Sequence, residues 1–424
     1  MVVKAINSDY KQTDIGAMPI EWMVSSLKES CDLIKDGTHT PPKRIVSGIP
    51  LLSAVNIENG DIDFQNNVTY ISEKDYKLIH KFYSIKRGDV LVTIVGTLGR
   101  LTLVNSDQRF SVQRSIAILR PHNNKIDNRY FFHILTSRKS QEQIIHYSKS
   151  TAQTGIYLSE LAKIKIPIPP MLEQKRIAEI LTKADALIKS FNVMISKKKN
   201  IKQGLMQKLV RSGIGHTKFK MTAIGEIPQE WDLRNIEQIC QKPQYGFTES
   251  ASFVHDGPKF LRITDIQDGA VNWNSVPFCN CSKEILEKYK LTSGDILFAR
   301  TGATTGKSFI VKNPPVSIFA SYLIRIRSKV VVNPVYLYMY LNSGAYWRQI
   351  KQRISGSAQG GVNASLLCKI LVAVPPHPEQ QKIAEILSDA DKEIEALEQK
   401  RDKYKLFKMG MMQQLLTGRI RVND

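Results

Sequence analysis

The segment most suggestive of chemistry is RTGATTGKS at residues 300–308, which follows the apolar run DILFA. A strand that runs into a glycine-rich turn ending in Gly-Lys-Ser is typical of a phosphate-binding loop. Such a loop needs four residues between its glycines and a helix after it, so that successive backbone N–H groups surround the phosphates. Here three residues separate Gly302 from Gly306, and the following SFIVK has the β-branched and aromatic residues of a strand. The pattern therefore favours a turn between two strands over a nucleotide site.

Other short patterns have counterparts in catalytic proteins. NPPV at residues 313–316 resembles the motif of adenine-specific amino-methyltransferases, but Val316 has no aromatic face to stack on a flipped base, and no glycine-rich turn for the methyl donor is evident. EQK at Glu173 fits a nuclease Glu-x-Lys without its upstream Asp, so we interpret it as a solvated first turn of a helix. Cys279 and Cys281 form an isolated C-x-C pair, and the histidines are not at metal-ligand spacing. We predict no catalytic residue and no metal site.

The charge of the chain points to a class of partner. There are 60 Lys and Arg against 39 Asp and Glu, a formal net charge of +21. An excess of this size favours nucleic acid, although a membrane surface or a ribosome would fit the charge alone. No apolar run is long enough to span a bilayer, the first residues lack the apolar core of a signal peptide, and five scattered cysteines suit a reducing compartment. We expect a cytoplasmic protein with no membrane partner.

The sequence contains an internal repeat of two long copies in tandem. The repeated segments are TDIGAMPIEW (13–22) and TAIGEIPQEW (222–231), RGDVL (87–91) and SGDIL (293–297), TAQTG (151–155) and SAQGG (357–361), and IPIPPMLEQKRIAEIL (166–181) and VAVPPHPEQQKIAEIL (372–387). In each copy, short β-rich runs with turn signals precede one uninterrupted helical pattern. The counterpart of RTGATTGKS is TIVGTLGRL at residues 93–101, which keeps the glycine turn but not the Lys and Ser. Phosphate hydrolysis therefore cannot be what the two copies share.

Each copy ends in a long predicted helix that begins after a proline pair. Its apolar residues follow the alternating steps of four and three that are typical of a heptad seam. The selected seam positions are Ile177, Leu181 and Ile188 in the first helix and Ile383, Leu387 and Ile394 in the second. Because the two seams match, we expect an antiparallel coiled coil that separates the β-rich parts as a rod about 60 Å long. The alternative is that each helix packs on its own β-rich part.

Four motifs in fixed order in both halves, [IM]P-x-x-W, GD-[IV]-L, AQ-x-G and PP-x-x-EQ-x-x-IA-x-IL, resemble the specificity subunit of type I restriction-modification systems over essentially the whole chain. The resemblance implies an α/β (α+β) fold with two similar target recognition domains in tandem, separated by two long antiparallel coiled-coil helices. We set the recognition domains at residues 1–170 and 217–376, and the spacer helices at residues 171–216 and 377–424.

The resemblance also implies that this chain recognises DNA and that other subunits carry out the catalysis. The partners would be double-stranded DNA, two methyltransferase (modification) subunits and, in the full complex, restriction subunits. Those subunits would use S-adenosylmethionine, ATP and Mg to methylate adenine or to cleave unmodified DNA, and this chain would bind no cofactor. Two other interpretations stay open. One is an enzyme, either a stand-alone DNA methyltransferase or a P-loop nucleotide hydrolase, and the other is a structural tether that binds only protein.

Candidate DNA contacts lie in the loops beside the shared turns. There the two copies scarcely align, as HTPPKRIVSGIP at residues 39–50 and ESASFVHDGPKF at residues 249–260 illustrate. Arg and Lys typically bind guanine, Asn and Gln bind adenine, and any cation can bind phosphate. The candidates are Lys43, Arg44, Thr97, Arg100, Arg114 and Gln153 in the first copy, and Thr248, Arg300, Thr301, Thr304, Lys307 and Gln359 in the second. Since the loops differ, the two halves should read different DNA sequences.

Overall fold

A computed structural model describes residues 9–40, 42–58, 60–148, 155–254, 257–267, 269–354 and 361–422. Contacts between Cα atoms divide the chain into two compact units, which we call unit 1 (residues 1–192 and 399–424) and unit 2 (residues 193–398). Both divisions fall inside a long helix, so each long helix contributes one part to each unit. The domain boundaries set from the sequence stay a prediction.

Unit 1 is a mixed α/β structure. Its strands are β1 (Tyr10–Lys11), β2 (Met18–Pro19), β3 (Met23–Ser26), β4 (Cys31–Asp36), β5 (Ile49–Leu52), β6 (Ile57–Glu58), β7 (Asp61–Ile62), β8 (Thr69–Ile71), β9 (Val90–Thr93), β10 (Leu101–Leu103), β11 (Ser111–Val112), β12 (Ile116–Pro121) and β13 (Lys165–Ile168). Its helices are α1 (Leu27–Ser30), α2 (Glu73–Ile79), α3 (Asn128–Thr136), α4 (Arg138–His146), α5 (Leu158–Leu161) and the first part of α6 (Met171–Ser212). The largest sheet has the antiparallel order β10-β9-β12-β4.

Unit 2 repeats this plan. Its strands are β14 (Phe219–Thr222), β15 (Gly225–Pro228), β16 (Asp232–Asn235), β17 (Gln244–Tyr245), β18 (Lys259–Leu261), β19 (Ile266–Gln267), β20 (Ala270–Val271), β21 (Ile296–Ala299), β22 (Ser308–Ile310), β23 (Ser317–Phe319), β24 (Leu323–Ile326) and β25 (Leu371–Val374). Its helices are α7 (Ile236–Ile239), α8 (Lys283–Tyr289), α9 (Pro334–Tyr340), α10 (Gly344–Ile354), α11 (Ala364–Cys368) and the first part of α12 (His377–Leu415). The order β22-β21-β24-β17 matches that of the large sheet in unit 1.

The central strands of each large sheet are buried on both faces. In β9, Val90 and Val92 pack with Trp22 in one core, whereas Leu91 between them packs with Leu52 of β5 in a second core. Successive side chains of a strand point to opposite faces, so an unbroken apolar run can serve two cores at once. The run ILFA of β21 in unit 2 is divided in the same way between a large and a small core.

One buried helix lies at the same place in both units. Asp127 caps the N-terminus of α3, and Asn333 caps that of α9, each accepting hydrogen bonds from two backbone N–H groups of the first turn. Tyr130 and Tyr336 occupy equivalent positions in these helices, are fully buried, and donate to a carbonyl of β13 and β25 respectively. The helix is thereby fixed on the strand that leads into the long helix.

The long helices α6 and α12 are paired antiparallel within each unit. The side-chain contacts between them are Asp185–Lys408 and Phe191–Tyr404 in unit 1 and Lys198–Glu393 and Lys202–Asp391 in unit 2. As the residue number rises along α6, the number of its partner on α12 falls. The predicted antiparallel pairing of the two helices is therefore confirmed.

The predicted seam is only partly a helix-to-helix seam. Its residues are placed as follows: Ile177, Leu181, Ile383 and Leu387 are fully buried, Ile394 is buried, and Ile188 is half-buried. The first two of each helix belong to the large core of the unit in which the helix begins, beside Trp22 or Trp231. The alternative packing on the β-rich part is thus correct for the first two turns, because one apolar stripe can serve a domain core and then a partner helix.

Candidate nucleic-acid interface

Two of the repeated motifs meet in the interior of each unit. Trp22 is fully buried and donates its indole N–H to Glu173 at 3.0 Å, and Trp231 donates to Glu379 at 2.9 Å. The Trp of [IM]P-x-x-W therefore hydrogen-bonds the Glu of PP-x-x-EQ in both copies. Glu173 is 3% exposed. Its interpretation as a solvated first turn is wrong, because the carboxylate is buried and accepts hydrogen bonds from the Trp22 indole and from Arg421.

The Gln of the same motif is also structural. Gln174 donates to the carbonyls of Pro169 and Lys125 and accepts from the backbone N–H of Asp127. Gln380 makes the equivalent bonds in unit 2. Both side chains are about 1% exposed. The EQ pair thus ties the start of each long helix to the loop before α3 or α9, and its polar groups are not available for chemistry.

The Asp of GD-[IV]-L has a comparable role. Asp89 is 1% exposed and pairs with Arg120 on the neighbouring strand at 2.7 Å, and Asp295 pairs with Arg327 at 2.6 Å. The glycine before each Asp has a positive φ, +94° in one copy and +93° in the other, which favours Gly at that turn. These three shared motifs therefore encode the scaffold.

The glycine-rich segments are hairpins in both copies. β9 pairs antiparallel with β10, and β21 pairs antiparallel with β22. In RTGATTGKS a short 3-10 turn occupies Gly302–Thr304, and Ser308 already begins β22. The prediction of a turn between strands is confirmed, and the segment lacks the helix that a phosphate-binding loop requires.

Four loops of unit 1 lie side by side, and we call their described residues edge 1: residues 38–40, 42–44, 94–100, 113–115 and 155–157. Backbone hydrogen bonds join them in sequence. The N–H of Arg114 donates to Thr38 at 3.2 Å, that of Ile94 to Ser115 at 2.9 Å, and that of Ile156 to Ile94 at 2.9 Å. The glycine turn and the segment after AQ-x-G are therefore neighbours.

The corresponding loops of unit 2 form edge 2: residues 247–254, 300–307, 320–322 and 361–363. The N–H of Phe247 donates to Phe319, next to the third loop, at 2.8 Å. The N–H of Arg300 donates to Tyr322 at 3.1 Å, and that of Val362 donates to Arg300 at 3.0 Å. Edge 1 and edge 2 thus share one arrangement of backbone hydrogen bonds but carry different side chains.

The structure places most candidates of the first copy on edge 1. Lys43, Arg44, Thr97 and Arg114 are exposed there. Arg100 is half-buried and donates to the carbonyl of Ile57 at 3.3 Å, so part of its guanidinium supports the loop. Gln153 lies outside the described residues. Whether any of these side chains touches DNA stays a prediction.

The candidates of the second copy lie on edge 2. Thr248, Thr301 and Lys307 are exposed, whereas Thr304 and Arg300 are half-buried. Gln359 lies outside the described residues. These assignments also stay predictions.

Sequence reasoning missed two aromatic residues on these edges. Tyr157 on edge 1 is 61% exposed and Tyr322 on edge 2 is 60% exposed. Exposed aromatic rings beside cations are typical of surfaces that contact nucleotides. Tyr322 could have been found from the repeat, because its turn corresponds to the one that carries the candidate Arg114.

Burial shifts the pKa of cysteines and histidines among the described residues. Burial raises the pKa of the Cys31 and Cys240 thiols to about 12, so neither is a reactive thiolate. Burial also lowers the pKa of His133 to about 3. Among the residues that the structure describes, no cluster of His, Cys, Asp and Glu could hold a metal ion.

No helix in the same part of the chain is long and apolar enough to cross a membrane.

The family model described as the type I restriction modification DNA specificity domain matches residues 19–201 and again residues 228–404. The chain belongs to this family. A putative type I restriction enzyme MjaX specificity subunit of Methanocaldococcus jannaschii is 28% identical over 98% of this chain and 97% of its own length. The type I restriction enzyme EcoKI specificity subunit of Escherichia coli is 24% identical over 87% of this chain and 82% of its own. The resemblance read from the repeated motifs is thereby confirmed.

Two solved structures share this fold. The crystal structure of the S subunit from M. genitalium has a TM-score of 0.57 and 16% identity, and the match covers 97% of each chain. A chain from a study of complex assembly in the type I R-M system has a TM-score of 0.52 and 16% identity, with 95% of this chain and 99% of that chain covered. The predicted fold class, two tandem domains with long helices, is confirmed. The function of the family domain is recognition of DNA sequence.

Proposed function

We propose that this chain is the non-catalytic recognition subunit of a type I restriction-modification complex and reads a bipartite site in double-stranded DNA. Unit 1 reads one half-site through edge 1, and unit 2 reads the other through edge 2. The observation that carries this proposal is that both units have four loops joined by hydrogen bonds. The residues that support these loops are shared between the two units, and the exposed residues on the loops differ.

The chemistry of the edges fits this role. Exposed cations such as Lys43, Arg44 and Lys307 can neutralise phosphates and supply affinity, which carries no sequence information. Sequence must be read by side chains held in fixed positions against base edges. Both edges are anchored to a buried sheet, so their loops are held by backbone hydrogen bonds before DNA arrives.

The partners in the proposal are two methyltransferase subunits and, for cleavage, restriction subunits. These subunits would hold S-adenosylmethionine, ATP and Mg and would carry out adenine methylation or DNA cleavage. The names of the relatives support this assignment, since each is a specificity subunit of a restriction enzyme. The structural use of Glu173 and Gln174 supports it as well, because it removes the motif that fits a nuclease.

The test is an exchange of loops. Residues 30–150 are replaced by the corresponding residues of a family relative with a different target, the chain is expressed with its methyltransferase partner, and the methylated sites are mapped by sequencing. We expect one half of the recognised site to change and the other half to stay the same, because each unit has its own edge. A change in both halves would show that the units read DNA jointly.

A salt titration separates this function from a protein-binding tether. Phosphate contacts release counterions, so the affinity of the assembled complex for DNA should fall steeply with rising salt concentration. Specific DNA binding that is absent, or affinity that is indifferent to salt, would favour the tether.

A further inference from the structure

Arg300 is held in a defined orientation at the centre of edge 2. Its guanidinium carbon lies 4.7 Å from the centroid of the Tyr245 ring, and its Nη1 donates to the carbonyl of Ser321 at 3.2 Å. Tyr245 is itself fixed, because its hydroxyl accepts from the backbone N–H of Ala364 at 3.1 Å. A guanidinium that lies over an aromatic ring and is anchored at one nitrogen has lost rotamer freedom before any ligand binds.

The anchored guanidinium keeps hydrogen-bonding capacity. In the part of the chain that the structure describes, only Nη1 has a protein acceptor, so Nε and Nη2 remain as donors. The backbone of Arg300 is also at the junction of the loops: its N–H donates to Tyr322 and its carbonyl accepts from Val362. A fork of donors is thus presented from a rigid platform between the loops of edge 2.

Unit 1 carries an apolar residue at the equivalent backbone position. Ile94 occupies the same backbone position, since its N–H donates to the third loop at Ser115 and its carbonyl accepts from Ile156. Ile94 is 4% exposed and apolar. The two copies therefore share the backbone junction but differ in its side chain, and only unit 2 carries a cation there.

We propose that Arg300 reads a guanine in the half-site of unit 2 through two parallel hydrogen bonds to its O6 and N7 atoms in the major groove. This inference rests on the proposed function. Two donors in a fixed plane match the two acceptors of guanine, and no other base presents two acceptors on its major-groove edge. Unit 1 must specify its bases by other contacts, because Ile94 offers no donor.

Lys307 on the same loop provides the contrast. It is exposed and, among the described residues, its ammonium has no hydrogen-bond or ion-pair partner. A flexible point charge of this kind suits a phosphate. Arg300 and Lys307 should therefore respond differently to changes in the DNA bases.

The experiment uses the chain assembled with its methyltransferase partner and the site obtained from methylome sequencing. Each guanine of a duplex carrying that site is replaced in turn by 7-deazaguanine, which lacks the N7 acceptor and leaves every phosphate unchanged. At one guanine we expect the replacement to weaken binding by the wild-type complex about 5- to 10-fold, as for loss of one bond of a bidentate pair. The Arg300→Ala complex should not respond to that replacement.

Further variants separate reading from folding and charge. Arg300→Lys keeps the charge without the fork and should lose discrimination against the other base pairs at that position, by about 5- to 150-fold. Tyr245→Phe keeps the ring but loses the hydroxyl that accepts from Ala364, so it should retain part of the discrimination, whereas Tyr245→Ala should lose it. Lys307→Ala should weaken binding to all of these duplexes by the same factor. Thermal unfolding and recognition of the other half-site show whether each variant is folded.

The outcomes are distinct. If no guanine shows a coupled effect and Arg300→Ala weakens binding to every duplex equally, Arg300 contacts phosphate or supports the loop. The inference is then wrong while the proposed function stands. If the wild-type complex shows no site-specific binding, the proposed function itself is wrong.

Discussion

Replacement of Glu173 by Gln should destabilise unit 1 and leave unit 2 intact. The buried carboxylate accepts from the Trp22 indole at 3.0 Å and from Nε and Nη2 of Arg421 at 2.8 and 3.1 Å. Gln has nearly the same volume but carries no charge, and its NH2 group would face one of these donors. The change therefore removes charge-assisted bonds without creating a cavity.

The size of the effect follows from burial. Removing one partner of a fully buried ion pair costs about 3–5 kcal/mol. The Arg421 side chain is 26% exposed and can regain water, while Trp22 still finds the remaining carbonyl oxygen. We therefore expect a loss of about 2–3 kcal/mol, which corresponds to a roughly 30- to 160-fold rise in the population of the open form of unit 1.

Hydrogen exchange followed by mass spectrometry is the suitable assay, because a chain of two units does not unfold in one step. Peptides from β9 and β12 of unit 1 should exchange faster by that factor in Glu173→Gln, and peptides from β21 and β24 of unit 2 should not. Glu179→Gln is the matched control, since it removes the same charge from an exposed position of α6. Equal acceleration in both units, or none in unit 1, would refute the reasoning.

Three further predictions concern other parts of the molecule. Glu379→Gln should accelerate exchange in β21 and β24 alone, because its carboxylate holds Trp231 and His216 within unit 2; an effect confined to unit 1 would contradict the equivalence of the two sites. Lys307→Ala should lower DNA affinity evenly across sequences and reduce the slope of log affinity against log salt concentration by about 1, with ATP hydrolysis by the assembled complex unchanged; loss of nucleotide binding would restore the phosphate-loop interpretation. Burial lowers the pKa of His133 to about 3, whereas the pKa of an unfolded histidine is about 6.5. Below pH 6.5 the unfolded chain therefore binds more protons at this residue than the folded chain does. Unit 1 should lose stability as the pH falls below about 6.5. At pH 5.5 the loss attributable to His133 is about 1.4 kcal/mol, and a His133→Met variant, which copies the buried Met339 of unit 2, should not show it in acid exchange measurements.

The features that sequence reasoning predicted correctly are those with a local or repeated signal. The antiparallel helices and the glycine hairpins follow from periodicity and turn chemistry, and both are written twice. Glu173 was misread because its donors, Trp22 and Arg421, lie 151 and 248 residues away. A helix start with Glu looks the same from sequence whether the carboxylate meets water or a buried indole. A comparison of the copies could have helped, since both Trp and Glu recur.

The seam and the edges show a second limit. Ile177 and Leu181 have the spacing of a coiled coil, but the same spacing buries a helix on a sheet. Apolar periodicity specifies which face is buried and not what buries it. Likewise, Arg300 was selected as a cation beside a turn, while its stacking on Tyr245 depends on a strand pairing that brings β17 near β21 through β24.

The division of the chain has a consequence for its synthesis. Unit 2 consists of residues 193–398 in one stretch, whereas unit 1 combines residues 1–192 with residues 399–424. The large core of unit 1 includes Leu415 and Leu416, and the carboxylate of Glu173 accepts a hydrogen bond from Arg421. On the ribosome, the recognition unit that is made first is therefore completed last, after the second unit has emerged. Until residues 399–424 leave the exit tunnel, the core around Trp22 lacks its closing segment.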